Sequence, residues 1–315
     1  MNGESGFDWK TMLEVSSLCK SYGSLNAVDG VSFSIEPGEV FGYLGPNGSG
    51  KTTTIRCIMG LLRPSAGQVR VFGQMVRTGR GTGHSEIGYL PGEFRIWPGL
   101  RARYSLAALA SLGSGNSVDA HRRALAERLE LNLDRRVETL SKGNRQKVGL
   151  LYAFEHRPRL LILDEPTSGL DPLMRQVVLD LIREAAADGA AVLLSSHDLA
   201  EVSVVCGRVG ILREGKLVEI APISQIVQQG RRRLMVWFRE PMLLPEIREH
   251  SADFELVEQK PGMIHLAYQG QCDPILKWVS QWPIDRIATP DTSLEEAFLQ
   301  YYRKSNGYPS GKGQP

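Results

Sequence analysis

Residues 45–52 have the types and the spacing that bind a polyphosphate. They fit the pattern G-x-x-x-x-G-K-[ST], in which glycines let the backbone fold tightly so that several N–H groups point at one anion. Lys51 is predicted to reach the β- and γ-phosphates of a nucleotide, and the Thr52 hydroxyl to hold Mg²⁺. The predicted nucleotide-binding residues of this stretch are Gly45, Pro46, Asn47, Gly48, Ser49, Gly50, Lys51, Thr52 and Thr53.

Adjacent carboxylates, Asp164 and Glu165, follow the apolar run 160–163. Such a run predicts a buried strand, and ligands bind at the carboxyl ends of strands in open parallel sheets. Asp164 suits Mg²⁺, directly or through water, and Glu165 suits a general base acting on an attacking water. The alternative is that the sequence Asp-Glu-Pro simply ends a strand in a turn.

Further candidate side chains stand at the ends of predicted elements. Ser141 is a good N-cap, so the helix after it would present free N–H groups, although alone it predicts no more than an ordinary helix start. His197 follows the apolar run 191–196, where it would touch a γ-phosphate and orient the water. Tyr22 is a candidate for stacking on an adenine ring; the alternative is a strand-end aromatic that packs on the core.

The elements that must position these groups alternate between strand and helix. Buried strands are predicted at 40–44, 87–90, 160–163 and 191–196, and helices at 52–60 and 174–187. A strand before the glycine-rich loop and a helix after it disfavour the alternative of a turn that binds nothing. Other predicted strands are an edge strand at 12–18, strands at 31–35 and 67–72, and a hairpin at 209–212 and 216–219.

The predicted domain organisation has one large and one small folded part. Residues 1–10 are expected to be a loose leader, and residues 11–222 a nucleotide-binding domain. Inside it, helices at 100–112 and 121–131 belong to a helical subdomain of about 93–155. Residues 223–303 are expected to be a small α+β domain without a catalytic constellation, entered through a solvated linker at 225–233 and closed by a helix at 293–303. A disordered tail at 304–315 follows.

Composition limits the classes of function. The formal net charge of the 315 residues is +2, so the field of the whole molecule does not point to nucleic acid. The 4 cysteines are scattered without a metal-binding spacing, which predicts a reduced, intracellular protein. No apolar run approaches the roughly 18 residues that span a bilayer, and residues 1–10 hold no apolar signal segment. Any role at a membrane is therefore expected to come through a partner.

Taken in order, these motifs resemble the ATP-binding subunit of an ABC transporter. The resemblance covers about residues 13–220 and rests on the phosphate loop, the signature Leu-Ser-Lys-Gly-Asn at 140–144, Asp164-Glu165, the run Ser-Gly-Leu-Asp at 168–171, and His197. It implies an α/β P-loop NTPase of ABC type: a mixed sheet with an antiparallel edge subdomain and a helical insertion, followed by the small α+β domain.

The resemblance also implies how the residues act. Two copies pair head to tail, and each ATP lies between the phosphate loop of one copy and the signature helix of the other. Ser141 and the free N–H groups after it would bind the partner's γ-phosphate. Tyr22 becomes the adenine-stacking position, Asp171 an interface contact and His197 a switch histidine. The implied signature residues are Ser141, Lys142, Gly143 and Asn144, and the implied catalytic residues are Glu165, His197 and Lys51.

The sequence departs from the family pattern at two places. The signature has Lys142 and Asn144 where the commonest form is Leu-Ser-Gly-Gly-Gln. More importantly, the glutamine that usually joins Mg²⁺ to the membrane partner is absent, and Gly92 and Glu93 stand in its place. Glycine has no side chain to ligate a metal. Either Glu93 joins Thr52 and Asp164 as a metal ligand, or water completes the shell.

The implied function is an ATPase on the cytoplasmic face of the cell membrane that drives a separate permease. The segment Ser-Leu-Glu-Glu-Ala-Phe at 293–298 resembles an extension on drug- and antibiotic-exporter subunits, which predicts a permease of the ABC-2 type and export of a drug, antibiotic or lipid-like compound. The alternatives are a soluble ABC-type ATPase acting on ribosomes or DNA, and a nucleotide-gated scaffold without turnover. A single phosphate loop and the lack of sustained heptads disfavour the first.

Overall fold

A computed structural model describes residues 11–79, 86–112, 119–229, 232–240, 254–268 and 271–289. The chain divides into two compact units, Met1–Pro222 and Ile223–Pro315. The predicted leader, closing helix and tail lie outside the described residues. Among the helices that are described, none combines the length and the apolar character needed to cross a membrane.

The first unit contains ten described strands and six described α-helices. The strands are β1 (Leu13–Tyr22), β2 (Leu25–Ile35), β3 (Val40–Leu44), β4 (Ala66–Val71), β5 (Gln74–Met75), β6 (Ile87–Leu90), β7 (Leu160–Asp164), β8 (Ala191–Ser196), β9 (Arg208–Arg213) and β10 (Lys216–Pro222). The helices are α1 (Lys51–Ile58), α2 (Ala102–Leu112), α3 (Asp119–Arg128), α4 (Lys142–Phe154), α5 (Pro172–Ala187) and α6 (Leu199–Val205).

The larger sheet has the order β10-β9-β3-β8-β7-β6. Its strands run parallel, except that β10 returns antiparallel beside β9 as the predicted hairpin. Strands β3, β7 and β8 are buried along their whole length. Continuous apolar runs form such strands because helices cover both faces of a parallel sheet. The predicted buried strands are thereby confirmed.

The smaller sheet is antiparallel, in the order β2-β1-β4-β5. The prediction of an edge strand at residues 12–18 is wrong, because β1 pairs with β2 on one side and with β4 on the other. Its alternating pattern arises from having one face on the core, which an interior antiparallel strand shares with an edge strand. Side chains of both sheets and of α1 form one core, in which the rings of Phe33 and Phe41 stack 5.1 Å apart.

The helical insertion contains α2 and α3, close to their predicted positions, and a short 3₁₀ turn at Val137–Thr139 leads into α4. Helix α4 packs closely on β6. A methyl group at Gly149 would lie 2.6 Å from Leu90 and 2.7 Å from the ring of Phe94, so this face of α4 requires glycine. The body of α4 is thus held against β6 of the larger sheet.

The second unit contains α7 (Ile223–Gln229), β11 (Arg232–Phe238), β12 (Phe254–Lys260), β13 (Met263–Tyr268), α8 (Asp273–Val279) and β14 (Ile284–Ala288). The prediction of a solvated linker at 225–233 is wrong, because α7 fills most of it and buries Ile226 completely. The strands form an antiparallel sheet in the order β12-β13-β11-β14. Aromatic rings form part of its core, including Trp278 and Trp282, whose ring centres are 5.3 Å apart.

Candidate functional site

The candidate site lies where the parallel strands end. In register, Leu44 at the end of β3 is beside Ser196 of β8, and Asp164 at the end of β7 is beside Ser195. The glycine-rich loop, the carboxylates and His197 therefore leave the sheet at one edge, as ligand sites of open α/β sheets do. The sequence predicted this convergence, because each of these groups follows a buried strand.

The glycine-rich loop ends in an unusual helix start. Gly50 is the N-cap of α1, has a φ of 109° and offers no side chain to the free N–H groups of the first turn. A methyl group at Gly50 would lie 2.3 Å from the carbonyl oxygen of Ala27, so no other residue fits this backbone. The positive end of the helix and its unpartnered N–H groups thus remain available to an anion.

Lys51 is held inside this loop. Its side chain is 6% exposed, and its Nζ donates to the carbonyl oxygens of Gly45 at 2.5 Å and of Pro46 at 3.3 Å. The ammonium therefore lies over the loop whose amides would cradle a phosphate. The loop contributes the positive charge and the amide donors as one unit.

Asp164 is buried, with 1% of its surface exposed. Its Oδ2 accepts from Thr52 Oγ1 at 2.8 Å, and its Oδ1 accepts from Ser195 Oγ at 2.8 Å. A carboxylate and a hydroxyl at this distance form the hard oxygen donor set that suits Mg²⁺. Ser195 was missed by the sequence reasoning, although its place as the next-to-last residue of an apolar strand pointed to this edge.

Glu165 lies between a lysine and a histidine. Its Oε1 is 3.5 Å from Lys51 Nζ, and its Oε2 is 2.6 Å from Nδ1 of His197. The structure therefore brings together the catalytic candidates Lys51, Glu165 and His197. The backbone of Glu165 has a φ of 52°, in the left-handed region that non-glycine residues rarely adopt.

A buried network behind Glu165 was not found from the sequence. Thr167 Oγ1 donates to Oε2 of Glu201 at 2.6 Å, and Oε1 of Glu201 is 3.7 Å from Arg175 Nη1. Burial raises the pKa of Glu201 above its ordinary value. The network joins the turn after β7 to α6, the helix that follows His197. Contacts between residues this far apart in the chain leave no local pattern in a sequence.

The predicted signature residues begin α4. Ser141 is its N-cap, and its Oγ accepts from the N–H of Asn144 at 3.2 Å. Ser141 and Lys142 are exposed, and Gly143 and Asn144 are partly exposed. Among the described residues, no hydrogen bond or ion pair joins residues 141–144 to the loop at 45–53. The structure thus does not bring the signature and the phosphate loop of one chain into contact.

Among the described residues, Tyr22 and Asp171 make no hydrogen bond or ion pair with Lys51, Glu165 or His197. Tyr22 is half exposed at the end of β1, with Lys20 Nζ 5.0 Å from its ring centre. Asp171 is the N-cap of α5, and the N–H of Met174, which donates to it at 3.0 Å, lowers its pKa. Both are accessible, as groups that contact a ligand or another chain must be.

Glu93 does not point at the metal-binding candidates. Its side chain is 79% exposed and pairs with Arg95 at 2.7 Å. Gly92 instead lies beside them, because a methyl group there would be 3.2 Å from Asp164 Oδ2. The structure therefore does not bring Glu93 together with Thr52 and Asp164.

Comparison with protein families gives a match to the model described as ABC transporter, over residues 28–168. The chain is 31% identical over 301 residues to the bacitracin transport ATP-binding protein BcrA of Bacillus licheniformis, covering 92% of this chain and 97% of that protein. It is 36% identical over 214 residues to the linearmycin resistance ATP-binding protein LnrL of Bacillus subtilis, covering 66% of this chain and 68% of that protein.

A solved structure described as the ATP-binding subunit of an ABC transporter is similar in fold. Its TM-score is 0.64 at 32% sequence identity, and the match covers 70% of this chain and 93% of that one. The match to BcrA covers nearly the whole chain, and the other two matches cover about two thirds of it.

Proposed function

This chain belongs to the ABC transporter family as an ATP-binding subunit with ATPase activity, and from this we propose how its residues perform hydrolysis and which partner they drive. The observation that carries the proposal is the meeting of Lys51, Glu165 and His197 at one sheet edge, beside the pair Thr52 and Asp164. This arrangement supports Lys51 as the phosphate-binding cation, Glu165 as the base, and Thr52 with Asp164 as the metal-binding pair.

We propose that the triphosphate of ATP lies on the loop at 45–53. The free N–H groups at the start of α1 donate to its oxygens, and Lys51 Nζ binds the β- and γ-phosphates. Tyr22, which is accessible at the end of β1, stacks on the adenine. The loop carbonyls of Gly45 and Pro46 keep the Lys51 ammonium in place, so that little side-chain freedom is lost on binding.

The residues for Mg²⁺ are Thr52 and Asp164. Their oxygens are already hydrogen-bonded at 2.8 Å, so both can ligate one ion with small movements. When bound, Mg²⁺ neutralises the charge that develops on the phosphoryl group. We propose that water rather than Glu93 completes the shell, because Glu93 pairs with Arg95 and glycine occupies the position next to Asp164.

Glu165 acts as the general base. Once Lys51 binds phosphate, Glu165 Oε1 is free to accept a proton from the attacking water. His197, at 2.6 Å from the other oxygen, holds the carboxylate in position and contacts the γ-phosphate. The position of Glu165 at the end of β7, with Oε1 3.5 Å from Lys51 Nζ of the phosphate loop, supports this role.

The signature residues Ser141, Lys142, Gly143 and Asn144 serve the ATP of a second copy. They are accessible and make no contact with their own phosphate loop within the described residues. The hydroxyl of Ser141 and the N–H groups of the first turn of α4 would bind the γ-phosphate from the opposite side, and Asp171 would contact the partner subunit. ATP binding then closes the dimer, and hydrolysis opens it.

We propose that the partner is a permease of the ABC-2 type and that the chain lies on the cytoplasmic face of the cell membrane through it. The relatives named for bacitracin transport and linearmycin resistance support export of an antibiotic, a drug or a lipid-like compound. Similarity to BcrA extends over both units, which supports a shared type of partner.

The test is Glu165→Gln in the full-length chain. We expect ATP affinity to change little and turnover to fall about a hundredfold or more, because the amide cannot accept the proton. Glu127→Gln, the same change at an exposed position of α3, is the matched control and should keep full turnover. Unchanged ATPase activity in Glu165→Gln would refute the general-base role.

A further inference from the structure

The turn that carries Glu165 adopts a strained backbone. Glu165 has a φ of 52°, which costs free energy for a residue with a Cβ atom and persists only where surrounding contacts impose it. Its N–H donates to the carbonyl oxygen of Ser195 at 3.0 Å, and its carbonyl oxygen accepts from Ser168 at 3.2 Å. The first bond anchors the turn to β8, and the second closes the turn. Neither of them involves the carbonyl group of Pro166.

Gln146 supplies that partner from helix α4. It is 5% exposed, and its Nε2 donates to the carbonyl oxygen of Glu165 at 3.1 Å and to that of Pro166 at 3.2 Å. A single side-chain amide thus binds two successive carbonyl groups of the strained turn. Neither hydrogen bond involves the Glu165 carboxylate, so Gln146 acts on the backbone that orients it.

A second contact of α4 reaches the same loop. Gly143 lies three residues before Gln146, on the same helix face. A methyl group at Gly143 would lie 2.7 Å from the carbonyl oxygen of Gly169, so helix and loop backbone are in close contact there. The start of α4 is therefore joined to the segment after β7 at two points, one turn of helix apart.

We infer that Gln146 is a positioning residue for Glu165. By fixing the left-handed backbone, its amide sets the direction in which the carboxylate leaves the turn, between Lys51 and His197. The inference rests on the proposed function, in which Glu165 is the general base. In the proposed dimer, the inference also links the two ATP sites. The first turn of α4 would bind the ATP of the second copy, and Gln146 of the same helix would position the general base of its own subunit.

The test replaces Gln146 by Met, which has similar length and no donor. We expect kcat for ATP hydrolysis by the full-length chain to fall by about a hundredfold, because small misplacement of a reacting group has this effect, while KM and ATP affinity stay unchanged. Gln146→Asn keeps the amide but withdraws it by one methylene, so its kcat should fall between those of the wild type and Gln146→Met. Gln176→Met, at an exposed position of α5, is the matched control and should keep wild-type kcat.

A double-mutant cycle with Glu165→Gln separates positioning from a general structural effect. If Gln146 acts through Glu165, adding Gln146→Met to Glu165→Gln should change the residual turnover by less than about twofold. Losses that multiply, or wild-type kcat in Gln146→Met, overturn the inference while the general-base role stands. Wild-type turnover in Glu165→Gln overturns the general-base role and this inference with it. Thermal unfolding shows whether each variant folds. If Gln146→Met does not fold, Gln146→Asn takes its place in the double-mutant cycle.

Discussion

The starts of α1 and α4 are both proposed to bind phosphate, and they are built differently. Helix α1 begins at a left-handed glycine without a side-chain cap, and buried Lys51 and Asp164 stand beside it. Helix α4 begins at Ser141, whose hydroxyl caps it in the ordinary way, and its first residues are exposed. The first start has the candidate catalytic groups of its own chain beside it, whereas the second offers amides, the Ser141 hydroxyl and the exposed Lys142.

On the proposed function, the difference separates a complete site from half of one. A phosphate at α1 would meet Lys51, the metal-binding candidates Thr52 and Asp164, and the proposed base Glu165 within one chain. A phosphate at α4 would meet Ser141 and Lys142 without a metal-binding pair or a base, so we expect α4 to contribute affinity when a second chain brings the nucleotide. A helix N-terminus thus acquires its role from the side chains around it, since its dipole and free N–H groups are common to all helices.

The strongest test of the comparison is complementation between two inactive chains. Lys51→Ala disables the α1 start and Ser141→Arg blocks the α4 start, and each alone should lower ATPase activity by about a hundredfold or more. A mixture of the two should recover activity, because one site of the mixed dimer combines intact Lys51 with intact Ser141. The measurement is turnover as a function of mixing ratio. No recovery at any ratio would show that the signature does not serve a second chain.

The next test concerns the backbone of the phosphate loop. Gly50→Ala should lower stability by about 1–3 kcal/mol and weaken ATP binding, because the new methyl group has no space against Ala27 and the φ is unfavourable. Gly48→Ala is the matched control: its φ of 82° is also unfavourable, but nothing lies within 4 Å of the added methyl group. Its cost should be about 1 kcal/mol. Chemical denaturation and nucleotide titration measure both. Equal effects at the two positions would remove the steric argument.

A smaller effect is expected from the cap of α4. Ser141→Ala removes the acceptor for the N–H of Asn144 and should lower the free energy of unfolding by about 1 kcal/mol. Binding of ATP to the monomer should be unaffected, because this cap does not contact the phosphate loop. Ser141→Asn restores a capping group and should recover the stability. A loss of monomer ATP affinity in Ser141→Ala would contradict the division between the two starts.

The smallest expected effect distinguishes the aspartate cap of α5 from the serine cap of α4 by its dependence on pH. The pKa of Asp171, which caps α5, is lowered by the N–H of Met174. Its stabilisation is therefore present above the ordinary pKa of 3.8 and lost as the pH falls through the lower, folded-state value. Asp171→Asn should be less stable than the wild type at neutral pH, and the difference should shrink in acid. The effect of Ser141→Ala should not depend on pH, because serine does not titrate. Thermal melts of the wild type and the two variants, recorded from neutral to acidic pH, measure both differences in stability.

Much of the fold followed from local pattern. The apolar runs 40–44, 87–90 and 191–196 became strands with these bounds, and the predicted helices 52–60, 100–112, 121–131 and 174–187 were found within a few residues of those bounds. Helix α6 was not predicted. An uninterrupted apolar run admits few arrangements other than a buried parallel strand, which explains this agreement. The sequence reasoning missed α7, although Ile223, Ile226 and Val227 have the i, i+3, i+4 spacing of a helix face, because a helix of 7 residues is too short for that spacing to stand out in a polar, basic stretch.

The candidate site was only partly predictable. Glycines, lysine and paired carboxylates are visible because the chemistry fixes their spacing in the sequence. Gln146 and Glu201 contact the turn after β7 from other helices, and only the fold brings them together. The orientation of Glu93 depended on Arg95, a neighbour with which it forms an exposed pair. Residues that support a site from distant parts of the chain have no fixed spacing in the sequence.

The aromatic core of the second unit gives that unit an optical signature of its own. Trp278 and Trp282 are in contact there, and Trp237 lies against the guanidinium of Arg286 in the same sheet. The described part of the first unit carries a single indole, Trp97, which is half exposed. The sequence holds one further indole before Pro222, Trp9. Replacing both Trp9 and Trp97 by Phe therefore leaves indoles in the second unit alone, and tryptophan emission during a denaturant titration would follow that unit while circular dichroism follows the whole chain.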